Sequence, residues 1–509
     1  MTTAGERRRS GRRGRTPFVT TAVVTPARRR IPAFEPFGED VLEAIERQAD
    51  WILDTIGVDF RGDDVALALF RSAGARVRNQ RVRMEPGQAR ALCASAPETF
   101  VLHARNPQRH VMLGGDHVVL MPGYGSPFVT DLDRGRRYAS LEDFRNFVRL
   151  TFMTPWLGHS GGTVCEPVDI PVNKRHLDMT LALLTLSDKP FMGAVTTPQR
   201  ARDSIDMARI VFSSQVMEEN AVIQANINVN SPLVYDASMS GALRVYAEAN
   251  QCVAVSPSVI GGAMGPLTPA AICAQTLAEG MAGIALAQLV RSGCPCVFGS
   301  FHATMNLKSG ALTFGTPEAN LVTFALAQLG RRLRVPVRSG GGQITASNTP
   351  DGQAMQDSTS AMWATMISGA HQVWHAAGWL EAGLTMSYEK FVMDADHCGM
   401  MLRMLQGFRA EPEGLAADAY LEAAPGQNHL ATAHTLRQYR SANFMPGIPE
   451  PGPWEAWSGD GSRRVEERAN AVWKGMLDSF EAPSIDDAVA EALGDFVTRR
   501  KASMEDAWY

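Results

Sequence analysis

Residues 253–269 read VAVSPSVIGGAMGPLTP, and they contain the junction between a strand and a helix. The apolar run at 253–260 has no strict alternation, and a glycine-rich turn follows it. Thr268 offers a hydroxyl to cap a helix, and Pro269 suits the first helical position because it needs no hydrogen-bond acceptor there. A long apolar helix pattern then leads to a second short apolar run. The segment therefore predicts a strand–helix–strand unit of a parallel sheet.

The same Thr-Pro junction recurs three more times, at Thr197-Pro198, Thr316-Pro317 and Thr349-Pro350. We predict strands at 191–194, 222–229, 253–260, 295–299, 335–338 and 371–376, and a weaker pattern suggests another at 157–164. Helices are predicted between them, at 172–186, 199–213, 237–249, 269–291, 317–331, 352–369 and 388–406. About eight such units fit a (β/α)8 TIM barrel better than a doubly wound sheet.

The segments on either side of this repeat have a different character. Residues 1–35 are predicted to be a disordered basic tail; no long apolar segment follows their arginines, which disfavours the alternative of a twin-arginine export signal. Residues 36–139 predict an N-terminal α+β cap region of helices and short antiparallel strands. The barrel is assigned to residues 140–440. Residues 441–509 predict a proline-rich linker and a C-terminal helical extension.

Composition excludes several classes of protein. The chain has 509 residues, of which 45% are hydrophobic, and its net charge of −4 gives no reason to expect a nucleic-acid partner. No uninterrupted run of about twenty apolar residues predicts a membrane span. The seven cysteines are scattered, which favours a reducing compartment and a cytoplasmic protein without disulfides.

Aromatic, histidine and acidic residues are concentrated between residues 371 and 391. Two Trp, two His, one Tyr and two Glu lie in this stretch of about twenty residues. Aromatic faces attract a quaternary ammonium ion, and a carboxylate nearby can balance its charge. The alternative is that these side chains simply fill the end of a large core.

The ends of other predicted strands carry further candidates. Asn226, Asn228 and Asn230 alternate, so they project to one face and would orient a polar ligand or form an internal hydrogen-bond network. The glycines at 261–265 allow a flat or bulky group to approach the backbone, and their spacing matches no nucleotide motif. Cys294-Pro295-Cys296 is too tight for a zinc ribbon, so we predict no metal site.

Several short motifs, in this order, resemble the trimethylamine:corrinoid methyltransferase family, specifically its members that lack pyrrolysine. The resemblance extends from about residue 40 to 500 and is carried by residues 131–137, 230–233, 265–268, 315–318, 351–354, 377–381 and 387–391, with Asp394. It implies a TIM barrel. It also implies a methyltransferase that moves a methyl group from a methylated amine to the cobalt of a separate corrinoid protein.

The chain departs from the founding members of this family at one point. They carry pyrrolysine in a glycine-rich segment that we place in residues 339–348, where this chain has only standard residues. Without that residue to activate the amine, the substrate must already contain a good neutral leaving group. A quaternary amine such as glycine betaine, choline or a carnitine-like compound meets that demand, and its demethylation moves no proton, so no catalytic acid or base is predicted.

The resemblance also suggests site residues and partners. The candidates for an ammonium cage are Trp374, Trp379, Tyr388, Phe301 and Tyr124. His302, His375, Asn228 and Gln343 are candidates for binding a carboxylate tail, and Glu381 would balance the positive charge or cap the following helix. The corrinoid (cobalamin) is expected on a cognate partner protein, with no cofactor tightly bound to this chain. The helical extension suggests a homo-oligomer.

Two other functions remain open at this point. One is methyl transfer to a different acceptor such as tetrahydrofolate, which requires a pterin slot that the sequence does not reveal. The other is a non-enzymatic protein that binds quaternary amines.

Overall fold

The computed structural model describes residues 27–408 and 410–508. The N-terminal region combines short strands with three helices. Its elements are β1 (Ala27–Arg28), α1 (Glu39–Trp51) with a π-helical turn at Ile52–Ile56, β2 (Val58–Phe60), α2 (Asp64–Ser72), β3 (Arg76–Arg78), β4 (Arg81–Arg83), α3 (Gln88–Cys93), β5 (Phe100–Leu102), β6 (Val111–Leu113), β7 (His117–Leu120), β8 (Phe128–Thr130) and β9 (Arg137–Tyr138).

Strands and helices then alternate through the central region, as predicted. Pro198, Pro269 and Pro317 each begin a helix, but of the threonines before them only Thr197 accepts a capping hydrogen bond. The helix after Thr349-Pro350 begins instead at Gly352, where the Asp351 carboxylate caps it. The elements are α4 (Leu141–Met153), α5 (Arg175–Thr185), β10 (Phe191–Met192), α6 (Pro198–Phe212), α7 (Ser214–Glu219), β11 (Ile223–Val229), β12 (Val234–Tyr235), α8 (Ala237–Glu248), β13 (Cys252–Ile260), α9 (Pro269–Val290), β14 (Cys296–Met305), β15 (Leu312–Thr313), α10 (Pro317–Arg332), β16 (Val337–Ser339), α11 (Gly352–Ile367), β17 (Gln372–Val373), β18 (Trp379–Leu380), β19 (Thr385–Ser387) and α12 (Tyr388–Leu405).

The C-terminal region is helical. It contains α13 (Pro412–Leu415), α14 (Ala417–Glu422), α15 (Ala433–Gln438), α16 (Trp454–Gly459), α17 (Val465–Asp478) and α18 (Asp487–Ala502). Helix α17 packs on α12 and α4, and α18 packs on α5 and α6. The two long C-terminal helices therefore cover the outer surface of the central region.

Seven parallel strands form the main sheet, in the order β7, β17, β16, β14, β13, β11 and β10. The amides of Gln224 on β11 and Gln372 on β17 exchange two hydrogen bonds, at 2.8 and 3.0 Å. Those strands are four places apart, which is about 19 Å in a flat sheet. The sheet therefore curls strongly, and this amide pair spans its concave side.

Residues 157–161 connect the two edges of the sheet through backbone hydrogen bonds. The N–H of Gly158 donates to the carbonyl of Leu120 in β7, at 3.1 Å. At the other edge, Ser160 N–H donates to the carbonyl of Pro190, and Met192 N–H donates to Gly161, at 2.8 and 2.9 Å. The weak strand pattern predicted at 157–164 thus falls on a segment that bonds to both edges.

The structure differs from two sequence expectations in the N-terminal region. Strand β7 was assigned to an antiparallel cap, but it joins the main sheet parallel to β17, and Val118, Val119 and Leu120 are buried. Residues 27–35 belong to the fold and not to a disordered tail, because β1 pairs antiparallel with the first residues of β7 and Arg29 donates to the carbonyl of Met366 at 2.7 Å. The rest of the expected tail, 1–26, lies outside the described residues.

Helix α9 is the central helix of the core. It packs on β13 and β14 on one side and on α1, α2 and α3 on the other, which explains why it is apolar all round. Helix α9 is also long and apolar enough to span a membrane. However, 89% of its most apolar 18-residue stretch is buried inside the protein. The N-terminal helices therefore complete the core that the sheet begins.

A glycine in α9 sets the distance between this helix and the sheet. A Cβ atom at Gly280 would collide with the Phe298 ring on β14. We expect Gly280→Ala to lower the free energy of unfolding by about 1–3 kcal/mol through overpacking. Gly475→Ala is the matched control, because Gly475 lies in α17 with no neighbour within 4 Å and gains up to about 1 kcal/mol of helix propensity.

Thermal unfolding of both variants at one scan rate measures the difference. The melting temperature should fall for Gly280→Ala and stay equal or rise for Gly475→Ala. Equal shifts in the two variants would contradict the close packing of α9 on β14.

Candidate functional site

The carboxyl ends of neighbouring strands bring most of the predicted site residues to one edge of the sheet. Tyr124 follows β7, Phe301 and His302 lie on β14, and Trp374 and His375 follow β17. These strands are consecutive in the sheet or separated only by β16. Residues distant in sequence meet here because parallel strands end on the same side.

Arg338 on β16 lies at the centre of this group. Its guanidinium carbon is 4.1 Å from the centre of the Trp374 ring system, and the Tyr124 ring is 5.7 Å from that indole. Burial lowers the pKa of both His302 and His375, and the charge of Arg338 adds to this effect. The Arg338 guanidinium therefore covers one face of Trp374. The Nε1–H of Trp374 donates to Gln372 at 2.9 Å and holds the indole ring in place.

An aromatic wall adjoins Arg338 and consists of Phe301, Phe314, His375 and Trp379. The His375 and Trp379 rings stack at 4.5 Å, and Phe301 meets each of them edge-on at 5.7 Å. His375 has φ of +56°, an uncommon conformation for a residue other than glycine, and such strain is often found at functional sites. The wall is a compact cluster of rings, in which Phe314, His375 and Trp379 are at most 5% exposed.

The histidines of the site are neutral near pH 7. Burial lowers the pKa of His302 to about 4 and holds that of His375 well below its usual range. His302 Nε2–H donates to the carbonyl of Ala319 at 2.7 Å, which leaves Nδ1 as an acceptor without a partner. Gln343 is fully buried and its amide donates to Nδ1 of His397 at 2.7 Å. These groups provide polarity without positive charge.

A cavity of about 340 Å³ opens beside Tyr124. Asn228 lines it and is solvent-exposed, and Met192, Glu166 and Arg200 line it as well. The Asn226 amide donates to Asn228 at 3.3 Å, so part of the expected asparagine network is internal. The cavity is large enough for a small polar molecule next to the Tyr124–Trp374 pair.

Two candidates lie away from this group. Tyr388 begins α12, stacks on Phe147 and Trp473, and donates its hydroxyl to Asp143 at 2.8 Å. Its ring is enclosed by helices, which removes it from the proposed ammonium cage. Nε of Arg136 lies 2.9 Å from each carboxylate oxygen of Glu381, so the charge of Glu381 is already balanced, and the Thr385 hydroxyl donates to the same carboxylate at 3.0 Å.

Sequence reasoning missed Arg338 and Phe314. Arg338 was recognised only as part of a strand end, although an arginine inside a predicted buried parallel strand is itself a signal of function. Phe314 lies beyond the strand ends that were searched. Within the described residues, no group of three His, Cys, Asp or Glu side chains is placed to hold a metal ion, and all seven cysteines are buried and free.

Comparison with known proteins identifies relatives along nearly the whole chain. A glycine betaine methyltransferase of Desulfitobacterium hafniense (strain Y51) is 37% identical over 471 residues, which cover 92% of this chain and 98% of the relative. A proline betaine:corrinoid methyltransferase and an L-carnitine:corrinoid methyltransferase, both of Eubacterium limosum, are 26% and 24% identical and cover 82% and 88% of this chain, and 89% and 93% of their own lengths.

The family described as trimethylamine methyltransferase (MTTB) matches residues 4–505. The resemblance seen in the short motifs is thereby confirmed over almost the full length. This chain belongs to the trimethylamine methyltransferase (MTTB) family.

Proposed function

We propose that this protein demethylates a betaine-like quaternary amine by transferring an N-methyl group to the cobalt of a corrinoid carried by a separate protein. Relatives that span most of this chain are named for glycine betaine, proline betaine and L-carnitine. Each of these compounds combines a quaternary nitrogen with a carboxylate. The observation that carries the proposal is the aromatic wall beside a buried polar group at the strand ends.

The chemistry asks little of the protein beyond position and exclusion of water. The bond between nitrogen and the methyl carbon breaks, the amine leaves neutral with the electron pair, and no proton moves. The corrinoid supplies Co(I), the nucleophile that accepts the methyl group. The enzyme must aim one methyl group towards the open end of the site and surround the cation with apolar and aromatic groups. Neutral histidines suit this task because they do not repel the cation.

We assign the site residues by their placement. Tyr124, Phe301, Trp374, His375 and Trp379 surround the cation, with Phe314 behind them. Asn228, His302 and Gln343 provide the polar groups nearby. Tyr388 and Glu381 act at a distance, through contacts that hold helix α12 and the turn before it.

The open end of the strands suits the approach of a partner that carries a large planar group. A cavity of about 260 Å³ there is lined by Gly261, Leu267, Leu307 and His302, among others. The Leu267 and Leu307 side chains are 55% and 62% exposed, which is unusual for leucine. Small and apolar residues at this rim fit a corrin ring carried by another protein.

We also propose that the curled sheet closes into a barrel. Residues 157–161 would supply the eighth strand of a (β/α)8 barrel, which is supported by their bonds to both sheet edges. The barrel domain of 140–440 would then also include β7, with a cap region before it and a helical extension after it.

Large exposed apolar side chains at 408–457, such as Leu421 and Trp454, support a homo-oligomer. We place the protein in the cytoplasm, in keeping with its free cysteines.

The aromatic wall should contribute cation binding that an aliphatic side chain cannot replace. We expect Trp379→Leu to lower kcat/KM for glycine betaine about 30-fold, because a desolvated cation–π contact contributes about 2 kcal/mol. The assay follows methyl transfer to cobalamin held as Co(I) by absorbance. Trp363→Leu is the matched control, since Trp363 lies on α11 and is 43% exposed. Equal activity of both variants, with intact folding, would remove Trp379 from the site.

The rate should not depend on pH between about 7 and 8. The pKa values of His302 and His397 are lowered to about 4 by burial, so both rings are neutral throughout this range. Protonation begins only as the pH falls towards 4, where the added positive charge beside Arg338 would weaken cation binding. A profile of kcat/KM measures this, and a bell-shaped curve with a limb between about pH 7 and 8 would contradict a mechanism without proton transfer.

A further inference from the structure

The Arg338 side chain projects to the concave side of the curled sheet. Its neighbours in β16 face the other way: the Ser339 hydroxyl lies 3.0 Å from that of Thr365 on α11, and Val337 packs against Gly330 on α10. Alternation along a strand therefore turns Arg338 towards the interior. The residue is only 3% exposed, so its guanidinium lies in a space that water hardly reaches.

Arg338 has few partners for a buried cation. Among the residues that the structure describes, its single hydrogen bond runs from Nη1 to the carbonyl of Ser300, at 2.9 Å, and its buried Nε has no acceptor. No carboxylate of the described residues lies within ion-pair distance of it, and burial lowers its pKa to about 9. Lys390 shows the contrast, because this fully buried ammonium pairs with Asp394 at 2.6 Å.

A buried charge without a counter-ion destabilises the fold. An anionic ligand that pairs with this charge removes that cost when it binds. A guanidinium presents its donors in a planar fork that matches a carboxylate. The missing partner of Arg338 is thus an anion with two oxygens in one plane. It must also be small, because the space around the side chain is closed on most sides.

A second buried polar group lies close to Arg338. Gly299 lies on the adjacent strand, and a Cβ atom there would lie 2.7 Å from the Ser256 hydroxyl and 3.2 Å from Cδ of Arg338. Ser256 and Arg338 therefore approach the same glycine, which is too closely surrounded to carry a side chain of its own. The Ser256 hydroxyl is itself buried, 2% exposed at the residue, and has no hydrogen-bond partner among the described residues. Two side chains with an unused donor therefore lie close together.

We propose that Arg338, assisted by Ser256, is the carboxylate receptor of the site, so that the enzyme acts on betaines in preference to quaternary amines without a carboxylate. This inference rests on the proposed demethylation for its biological meaning, but the receptor itself is a binding property. The aromatic groups beside Arg338, Tyr124, Trp374 and His375, then surround the quaternary nitrogen one or a few carbons away. The Trp374 face stays with the guanidinium and orients it.

Three ligands separate the two ends of the substrate. Glycine betaine has both charges, choline replaces the carboxylate with a hydroxyl, and 3,3-dimethylbutyrate replaces the quaternary nitrogen with carbon. Calorimetric titration of the full chain with each ligand gives the dissociation constants. We expect wild-type protein to bind 3,3-dimethylbutyrate, to bind glycine betaine more tightly, and to bind choline weakly.

The variant Arg338→Met tests the assignment. We expect it to lose about 30-fold or more in affinity for glycine betaine and to lose 3,3-dimethylbutyrate binding, as is typical when one partner of a buried charge pair is removed. Choline affinity should change little or improve. The melting temperature should stay equal or rise, because the variant replaces an unpaired buried charge with an apolar chain. Arg334→Met is the control, since Arg334 is a nearby arginine whose side chain is 76% exposed.

Two further variants keep the test informative if Arg338→Met misfolds. Arg338→Lys retains the charge without the fork and should bind 3,3-dimethylbutyrate more weakly than wild type. Ser256→Ala removes only the hydroxyl and should weaken both carboxylate ligands while leaving choline unchanged. Carboxylate affinities equal to wild type in the folded Arg338 variants would overturn the inference. Binding of 3,3-dimethylbutyrate through Arg338 without turnover of any quaternary amine would instead refute the proposed demethylation and leave the receptor standing.

Discussion

The bond between the amides of Gln224 and Gln372 expresses the constraint on which the site depends, which is the strong curl of a parallel sheet. Both side chains are fully buried, and each amide satisfies the other across the concave side. The two amides form a polar floor, and the indole N–H of Trp374, which lies above it, donates a hydrogen bond to Gln372. Because the strands converge above this floor, side chains from β14, β16 and the segments after β7 and β17 come within contact distance of each other.

The curl also determines what must cover the outside of the sheet. Helix α9 lies against β13 and β14 and would expose a wide apolar surface if the chain began at the first strand of the repeat. The N-terminal helices α1, α2 and α3 bury that surface, and α17 does the same for α12, where Trp473 packs on Tyr388 and donates to Glu389 at 3.0 Å. The flanking regions are thus parts of one core, and they restrain the helices that begin at the rim of the site.

Local chemistry explains which features the sequence predicted well. The seven predicted central helices begin and end within about three residues of the prediction, because apolar periodicity and cap residues act over a few positions, whereas α4 and α7 were not predicted. Strand β7 was misassigned because its parallel partner, β17, lies some 250 residues later. The partners of Tyr388 and Glu381, Asp143 and Arg136, are each 245 residues away. Periodicity carries no information about such pairs, and only the aromatic residues near the ends of adjacent strands could be grouped in advance.

The proposed pairing of a carboxylate with Arg338, beside the proposed ammonium cage, has a consequence for selectivity. A quaternary amine with a carboxylate brings both the cation for the aromatic wall and the anion for Arg338, so each buried charge acquires a partner. An amine without a carboxylate brings a second positive charge close to the first, in surroundings where burial weakens screening. Selectivity then arises from repulsion of the wrong cation as well as from attraction of the right one. The neutral histidines fit this arrangement, since a protonated His302 or His375 would add to the repulsion and a carboxylate in their place would pair with Arg338 and close the receptor.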